Sequence, residues 1–243
     1  MKPTEVKEVQ SWLEDGAKIP SPWGARAIVN DDNLTYLLWN TQSKEAIVVD
    51  PMREDWDALI QETRKLDGYR YIAVIDTHTH ADHVSNAAQL AEHLHAPLIQ
   101  HEKSPSRRIH LRVSRDTALP TAAGPLWLLD TPGHTPDCIT PVWGPFLLGG
   151  DMIFFGDTGR DDLPGGDPKA HWESLQKIKA VAKPEMILLP GHDGRGGRAS
   201  SWKTQLETND GLKQDLATYL KEGGAWVGPS PKLLKESLYE NFK

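Results

Sequence analysis

Residues 77–83 read Thr-His-Thr-His-Ala-Asp-His, so three imidazoles and a carboxylate fall within six positions, directly after the apolar run 71–76. A chain with ten histidines in 243 residues does not gather three of them at one strand end merely to fill a core. Imidazole and carboxylate are the donors that zinc and iron accept. The segment therefore demands a scaffold that presents a loop rigidly at the end of a buried strand, which layered α/β folds do.

The rest of the chain fits such a scaffold. β-type runs at 25–30, 34–40 and 45–50 are separated by Asp, Asn, Gln and Ser turn signals. Apolar spacing predicts a helix over 54–68, with Gly68 as its stop, and another over 84–96. Strands are expected at 97–100, 126–130, 138–144, 146–151 and 185–192. A helix over 168–182 has Pro168 in its first turn, and a last helix falls at 212–223. The N-terminal stretch 5–18 reads as a helix packed on the same body, with docking of a partner as its alternative. No fixed-period repeat, low-complexity tract or linker interrupts the alternation. Residues 1–243 thus read as one α/β domain, with its chemical motifs at 76–193 and a helical tail at 200–243.

The polar residues at strand ends repeat one pattern. His78, His80, Asp82 and His83 follow the strand at 71–76. His134 follows 126–130, Asp151 follows 146–150, and His192 follows 185–191. Gly133, Gly150 and Gly191 stand immediately before three of them. Five imidazoles and two carboxylates exceed what one ion needs and suit two adjacent ions. His93, His95, His101, His110 and His171 read as solvated helix or loop residues, and 101–108 as an exposed polar loop.

Composition narrows the function. A net charge of −7 argues against a nucleic-acid surface, which needs a basic excess. No run approaches the roughly 18 apolar residues of a membrane span. The first twelve residues mix Lys and Glu without an apolar core, unlike a signal peptide. The single cysteine, Cys138, excludes an intrachain disulfide and reads as a small buried side chain. A cytoplasmic protein is expected.

The motifs at 78–83 (HTHADH), 131–135 (TPGHT), 149–151 (GGD) and 190–193 (PGHD) resemble, in that order, the ligand motifs of the metallo-β-lactamase superfamily. The resemblance implies an αβ/βα four-layer sandwich. It assigns His78, His80 and His134 to one metal, Asp82, His83 and His192 to another, and shares Asp151 between them. Within the superfamily the chain is similar to persulfide dioxygenases. Cys138 follows His134 by four positions, the segment after Asp151 continues to Gly159, Arg160, Asp161 and Asp162, and the tail after His192 is short. That branch implies one Fe(II) held by His78, His134 and Asp151, with the other four residues orienting them. It implies oxidation of glutathione persulfide to sulfite and glutathione, with Arg160 and Asp162 either supporting the substrate or forming a structural ion pair that supports their loop. The alternative branch, type II glyoxalases, implies a zinc or iron pair, hydrolysis of a glutathione thioester or other acyl substrate, and Asp82 or Asp151 assisting proton transfer. A non-catalytic metal-binding scaffold is the reading outside catalysis; its expected sign, a missing ligand, does not occur.

The chain departs from the resembled pattern in two places. Asn86 stands where glycine is usual, and no tyrosine comes shortly after the pair His192-Asp193. Arg195, Arg198 and Lys203 lie there instead, read as a solvated basic loop, with a grip for carboxylates as the alternative. The expected partner is a small thiol-derived molecule, with neither nucleic acid nor membrane, and a homodimer is compatible with this reading.

Overall fold

The computed structural model describes residues 4–162, 164–193 and 199–222. Its first sheet has seven strands in chain order. These are β1 (Glu5–Glu8), β2 (Trp23–Asn30), β3 (Asn33–Asn40), β4 (Glu45–Val49), β5 (Arg70–Ile75), β6 (Leu98–His101) and β7 (Leu111–Val113). β1 to β4 are antiparallel neighbours. The pairs from β4 to β7 are parallel, so the carboxyl ends of β4, β5 and β6 share one edge. The second sheet is built from β8 (Thr117–Leu119), β9 (Leu126–Asp130), β10 (Ile139–Trp143), β11 (Phe146–Gly150), β14 (Ile187–Pro190) and β15 (Ser200–Ser201). A short hairpin, β12 (Ile153–Phe154) and β13 (Asp157–Thr158), stands apart.

Three apolar layers hold four layers of structure together. Adjacent residues of a strand point to opposite faces, and here both faces are covered, so the strands read as continuous apolar runs. Leu38, Ile47, Val49 and Ile75 of the first sheet pack between the sheets against Leu128, Trp143, Phe146, Leu148 and Leu189 of the second. Their neighbours Leu37, Val48 and Val74 face outward beneath α1 (Trp56–Arg64) and α2 (Ala87–Leu94), meeting Leu59, Ala87 and Leu90. Leu129, Leu147 and Leu188 face the other way. They meet Leu175 and Ile178 of α3 (Pro168–Val181), Trp202 of α4 (Trp202–Thr208), Leu212 of α5 (Asp210–Lys213) and Tyr219 of α6 (Leu216–Glu222). This is the expected αβ/βα sandwich.

Some local expectations fail. The N-terminal helix is instead strand β1 and one 3₁₀ turn at Val9–Trp12. The edge of β2 offers Glu5–Glu8 a ladder, and Val9 inserts between the sheets. The helix expected over 212–223 is two short ones, broken at Gln214, which has extended backbone geometry. Residues 223–243 lie outside the described residues. His101 and His171 are buried rather than solvated. Each finds a carboxylate on a distant element: His101 Nε2 lies 3.3 Å from Asp130 Oδ1, and His171 Nδ1 lies 3.2 Å from Asp161 Oδ2. The 101–108 loop is correspondingly only half exposed, with Ser104 and Ser106 buried.

Candidate metal centre

The two sheets meet at the edge where β5, β9, β11 and β14 end, and the seven sequence-predicted ligands converge there. One ligand atom from each of His78, His134 and Asp151 lies within 4.8 Å of the others, and the same holds for His80, Asp82 and His83. Asp151 Oδ2 sits 3.8 Å from His78 Nε2, 3.7 Å from His134 Nε2 and 3.3 Å from His192 Nε2. His192 Nε2 is also 3.7 Å from Asp82 Oδ2, so His192 and Asp151 link the two groups. The ring centroids of His78 and His80 are 4.3 Å apart, and those of His80 and His83 are 4.2 Å apart.

Hydrogen bonds choose which nitrogen each imidazole presents. The Thr77 hydroxyl donates to Asp50 Oδ2 at 2.8 Å, so it accepts from His78 Nδ1–H at 3.0 Å and leaves Nε2 facing Asp151. His134 Nδ1–H donates to the Arg160 carbonyl at 2.7 Å, again leaving Nε2 inward. His80 Nε2–H donates to Asp50 Oδ1 at 3.2 Å, so Nδ1 is the atom it can offer. Asp50 thus orients two of the histidines. Thr79 and Thr135 both donate to Asp137, which ties the 77–83 loop to the 131–138 loop.

The electrostatics are those of a site built for cations. Burial opposes ionisation of Asp151, yet His192, His78 and His134 hold its carboxyl well below the usual range. Burial and the neighbouring His80 push His78 down to about 3. Burial also disfavours charge on His192, but Asp151, Asp32 and Asp82 overcome it and hold the imidazole well above its ordinary value. Asp82 Oδ2 is buried with no hydrogen-bond partner. A buried, partnerless carboxylate oxygen among imidazoles is costly unless a cation completes it. The donor set therefore fits a bound transition metal.

Close packing explains the glycines. A Cβ on Gly191 would collide with Asp151 Oδ1, and one on Gly133 would collide with the backbone of His171. Gly133 also takes φ +155°, a conformation that glycine alone adopts at little cost.

Of the remaining expected residues, Arg160 and Asp162 form a bidentate pair, Nε to Oδ1 at 2.7 Å and Nη2 to Oδ2 at 2.9 Å, with Asp162 exposed. The Arg160 contact to the centre is its carbonyl. Cys138 is buried, its Sγ bonded by Thr135, and burial pushes its thiol up, as suits a packing residue. Lys203 is exposed on α4; Arg195 and Arg198 lie outside the described residues. Sequence reading missed Asp50, Thr77, Asp137, Asp161 and His171. Asp50 carried a signal, since it ends an apolar strand as Asp151 does. Asp161 and His171 carried none, because their pairing spans two elements.

Comparison with known proteins agrees. Residues 30–120 match the family profile described as metallo-beta-lactamase superfamily. The chain is 25% identical over 211 residues to "Persulfide dioxygenase ETHE1, mitochondrial" of Homo sapiens, covering 86% of this chain and 83% of the relative. It is 30% identical over 169 residues to "Hydroxyacylglutathione hydrolase" of Xanthomonas campestris, covering 67% and 62%. The crystal structure of ETHE1 from Myxococcus xanthus superposes with a TM-score of 0.80 at 24% identity, covering 90% of this chain and 97% of that one. The layers, the strand-end ligands and this profile together show that the chain carries a metallo-β-lactamase superfamily domain, matched over residues 30–120, and its relatives are metal-dependent enzymes.

Proposed function

We propose that this protein is a persulfide dioxygenase, oxidising glutathione persulfide to sulfite and glutathione at one Fe(II). The observation that carries this reading is the convergence of His78, His134 and Asp151. Two imidazoles and one carboxylate on one face, with positions left open, make the donor arrangement of non-haem iron oxygenases. The similarity to persulfide dioxygenase ETHE1 over 86% of the chain supports the substrate class.

The bound iron would supply redox chemistry and adjacent positions for sulfur and O₂. The chain's own residues do the rest. Thr77 and the Arg160 carbonyl fix the rings of His78 and His134, so both present Nε2 without a rotamer search. Asp50 holds His80 in place. In the metal-free protein Asp151, Asp32 and Asp82 favour the charged form of His192, which offsets part of the carboxylate charge at the site. The Arg160–Asp162 pair stiffens the turn whose carbonyl orients His134.

A dinuclear thioester hydrolase is the second reading. Its support is the group His80, Asp82 and His83, together with the partnerless Asp82 Oδ2. There a second ion would fill, and Asp82 would assist proton transfer to the leaving thiol. Metal analysis separates the two. Protein purified without added metal or chelator should hold about one iron per chain and little zinc; two ions per chain would favour the hydrolase.

A further inference from the structure

Beside the metal centre, on the β6 side of the 78–80 loop, lies a cavity of about 210 Å³. It is bounded by that loop, the first turn of α2 and the loop after β6. Such a volume holds roughly seven waters at about 30 Å³ each, or one small molecule. Its outer wall is braced, since the Arg112 guanidinium donates to the carbonyls of Glu102, Ser104 and Ser106.

Two side chains lining this cavity end in buried polar atoms with no hydrogen-bond partner: Asn86 Nδ2 and Asp76 Oδ1. Their residues are 4% and 3% exposed. Asp76 Oδ2 is fully engaged, accepting from Ser85 Oγ at 2.7 Å and Gln100 Nε2 at 2.6 Å. Asp76 Oδ1 lies 4.0 Å from His80 Nε2, beyond hydrogen-bond reach. Asn86 occupies the N-cap of α2 yet makes no capping bond; the Ser85 hydroxyl serves Ala87 N–H at 3.1 Å instead. The Asn86 side chain, which lines the cavity, is thus left without a capping role. Native interiors leave few such groups unmet, because each forfeits its hydration.

The lining carries both polarities. Asn86 Nδ2, the guanidinium groups of Arg53 and of Arg108, whose Nη2 also donates to Glu92 Oε2 at 3.1 Å, and the positive end of α2 favour an oxyanion. Asp76 Oδ1 favours a cationic N–H donor. One small ligand class bears both on a single carbon.

We infer that this cavity binds the head of an α-amino acid, its carboxylate taken by Asn86, Arg53 and Arg108 and its ammonium by Asp76. Two sources share that chemistry. One is the γ-glutamyl end of a glutathione-type molecule, which rests on the thiol substrate proposed above; the other is a free amino acid, which does not.

Isothermal titration of the metal-loaded protein with L-glutamate, S-methylglutathione and glutarate tests the assignment. L-glutamate is expected to bind at one site per chain, and glutarate, lacking the ammonium, at least about tenfold more weakly, the loss of one charge-assisted hydrogen bond. Asn86→Gly, which installs the residue of the resembled families, and Arg108→Ala should each weaken binding about tenfold or more with metal content unchanged. Competition by S-methylglutathione identifies the substrate's own head; binding of L-glutamate alone identifies a free amino acid. No binding of either amino-acid probe, equal binding of glutarate, or full affinity in Asn86→Gly would overturn the site. Oxygen uptake with persulfide is read separately, so failure of the cavity and failure of the dioxygenase reading are distinct results.

Discussion

His134 is a ligand under both catalytic readings, while Arg160 touches the centre only through its backbone. The two substitutions should therefore behave differently. His134→Ala should abolish turnover and cut metal content by at least about tenfold, since even residues that only orient ligands are worth about 10–100-fold in metal affinity. The variant should stay folded, because the three apolar layers do not involve this ring. Arg160→Ala keeps the carbonyl, and its exposed pair with Asp162 contributes only about 0–1 kcal/mol. Metal content and melting temperature should hold while kcat/KM falls about tenfold, which metal analysis, calorimetry and kinetics on one preparation would read. Protons compete for the same atoms. Despite burial, Asp50 raises His80 to about 9, and Asp151 with Asp32 and Asp82 holds His192 well above its ordinary value. In the dinuclear reading these imidazoles, charged at neutral pH without metal, must be neutral to ligate, whereas the single-iron site leaves them outside its ligand set. Affinity for a second ion should therefore rise with pH from 6 to 9, with proton release at pH 7 detectable by titration calorimetry in buffers of different ionisation enthalpy. A pH-independent affinity would contradict the charge assignment.

Between elements, His171 of α3 does the bracing. Its Nδ1 donates to Asp161, its Nε2 to the Met152 carbonyl at 3.0 Å, and its backbone packs on Gly133. It thereby joins the segments that carry His134, Asp151 and the Arg160 carbonyl. His171→Ala removes the imidazole that pairs with the buried Asp161 carboxylate and should destabilise the fold by about 1–3 kcal/mol. Asp161→Ala on top of it should cost less than the two separately, and a chemical-denaturation cycle would show additivity if the pair were unimportant. None of this was legible from periodicity. His171 sits in a helix whose spacing was read correctly, but nothing local says that its ring meets a carboxylate ten residues away. The strand-end ligands were legible because each follows an apolar run that both sheets' packing requires. β1 was misread because its Glu-Val-Lys-Glu pattern suits a helix as well as an edge strand, and only the free edge of β2 decides. Strands as short as β12, β13 and β15 bury too few residues to leave a pattern.

For the molecule as a whole, two sheets packed face to face place strand ends from both halves along one rim, where ligands separated by more than a hundred residues become neighbours. No helix among the described residues is long and apolar enough to cross a membrane, and the same geometry supports either redox or hydrolytic chemistry depending on how many ions fill it. Oxygen consumption decides between them. Oxidation of a persulfide to sulfite and thiol takes up one O₂ and one water per persulfide and releases two protons, whereas thioester hydrolysis consumes no oxygen. With an oxygen electrode, iron-loaded protein given glutathione persulfide should consume about one O₂ for each sulfite formed and leave a glutathione thioester intact. Cleavage of the thioester with no persulfide-dependent oxygen uptake would contradict the dioxygenase account.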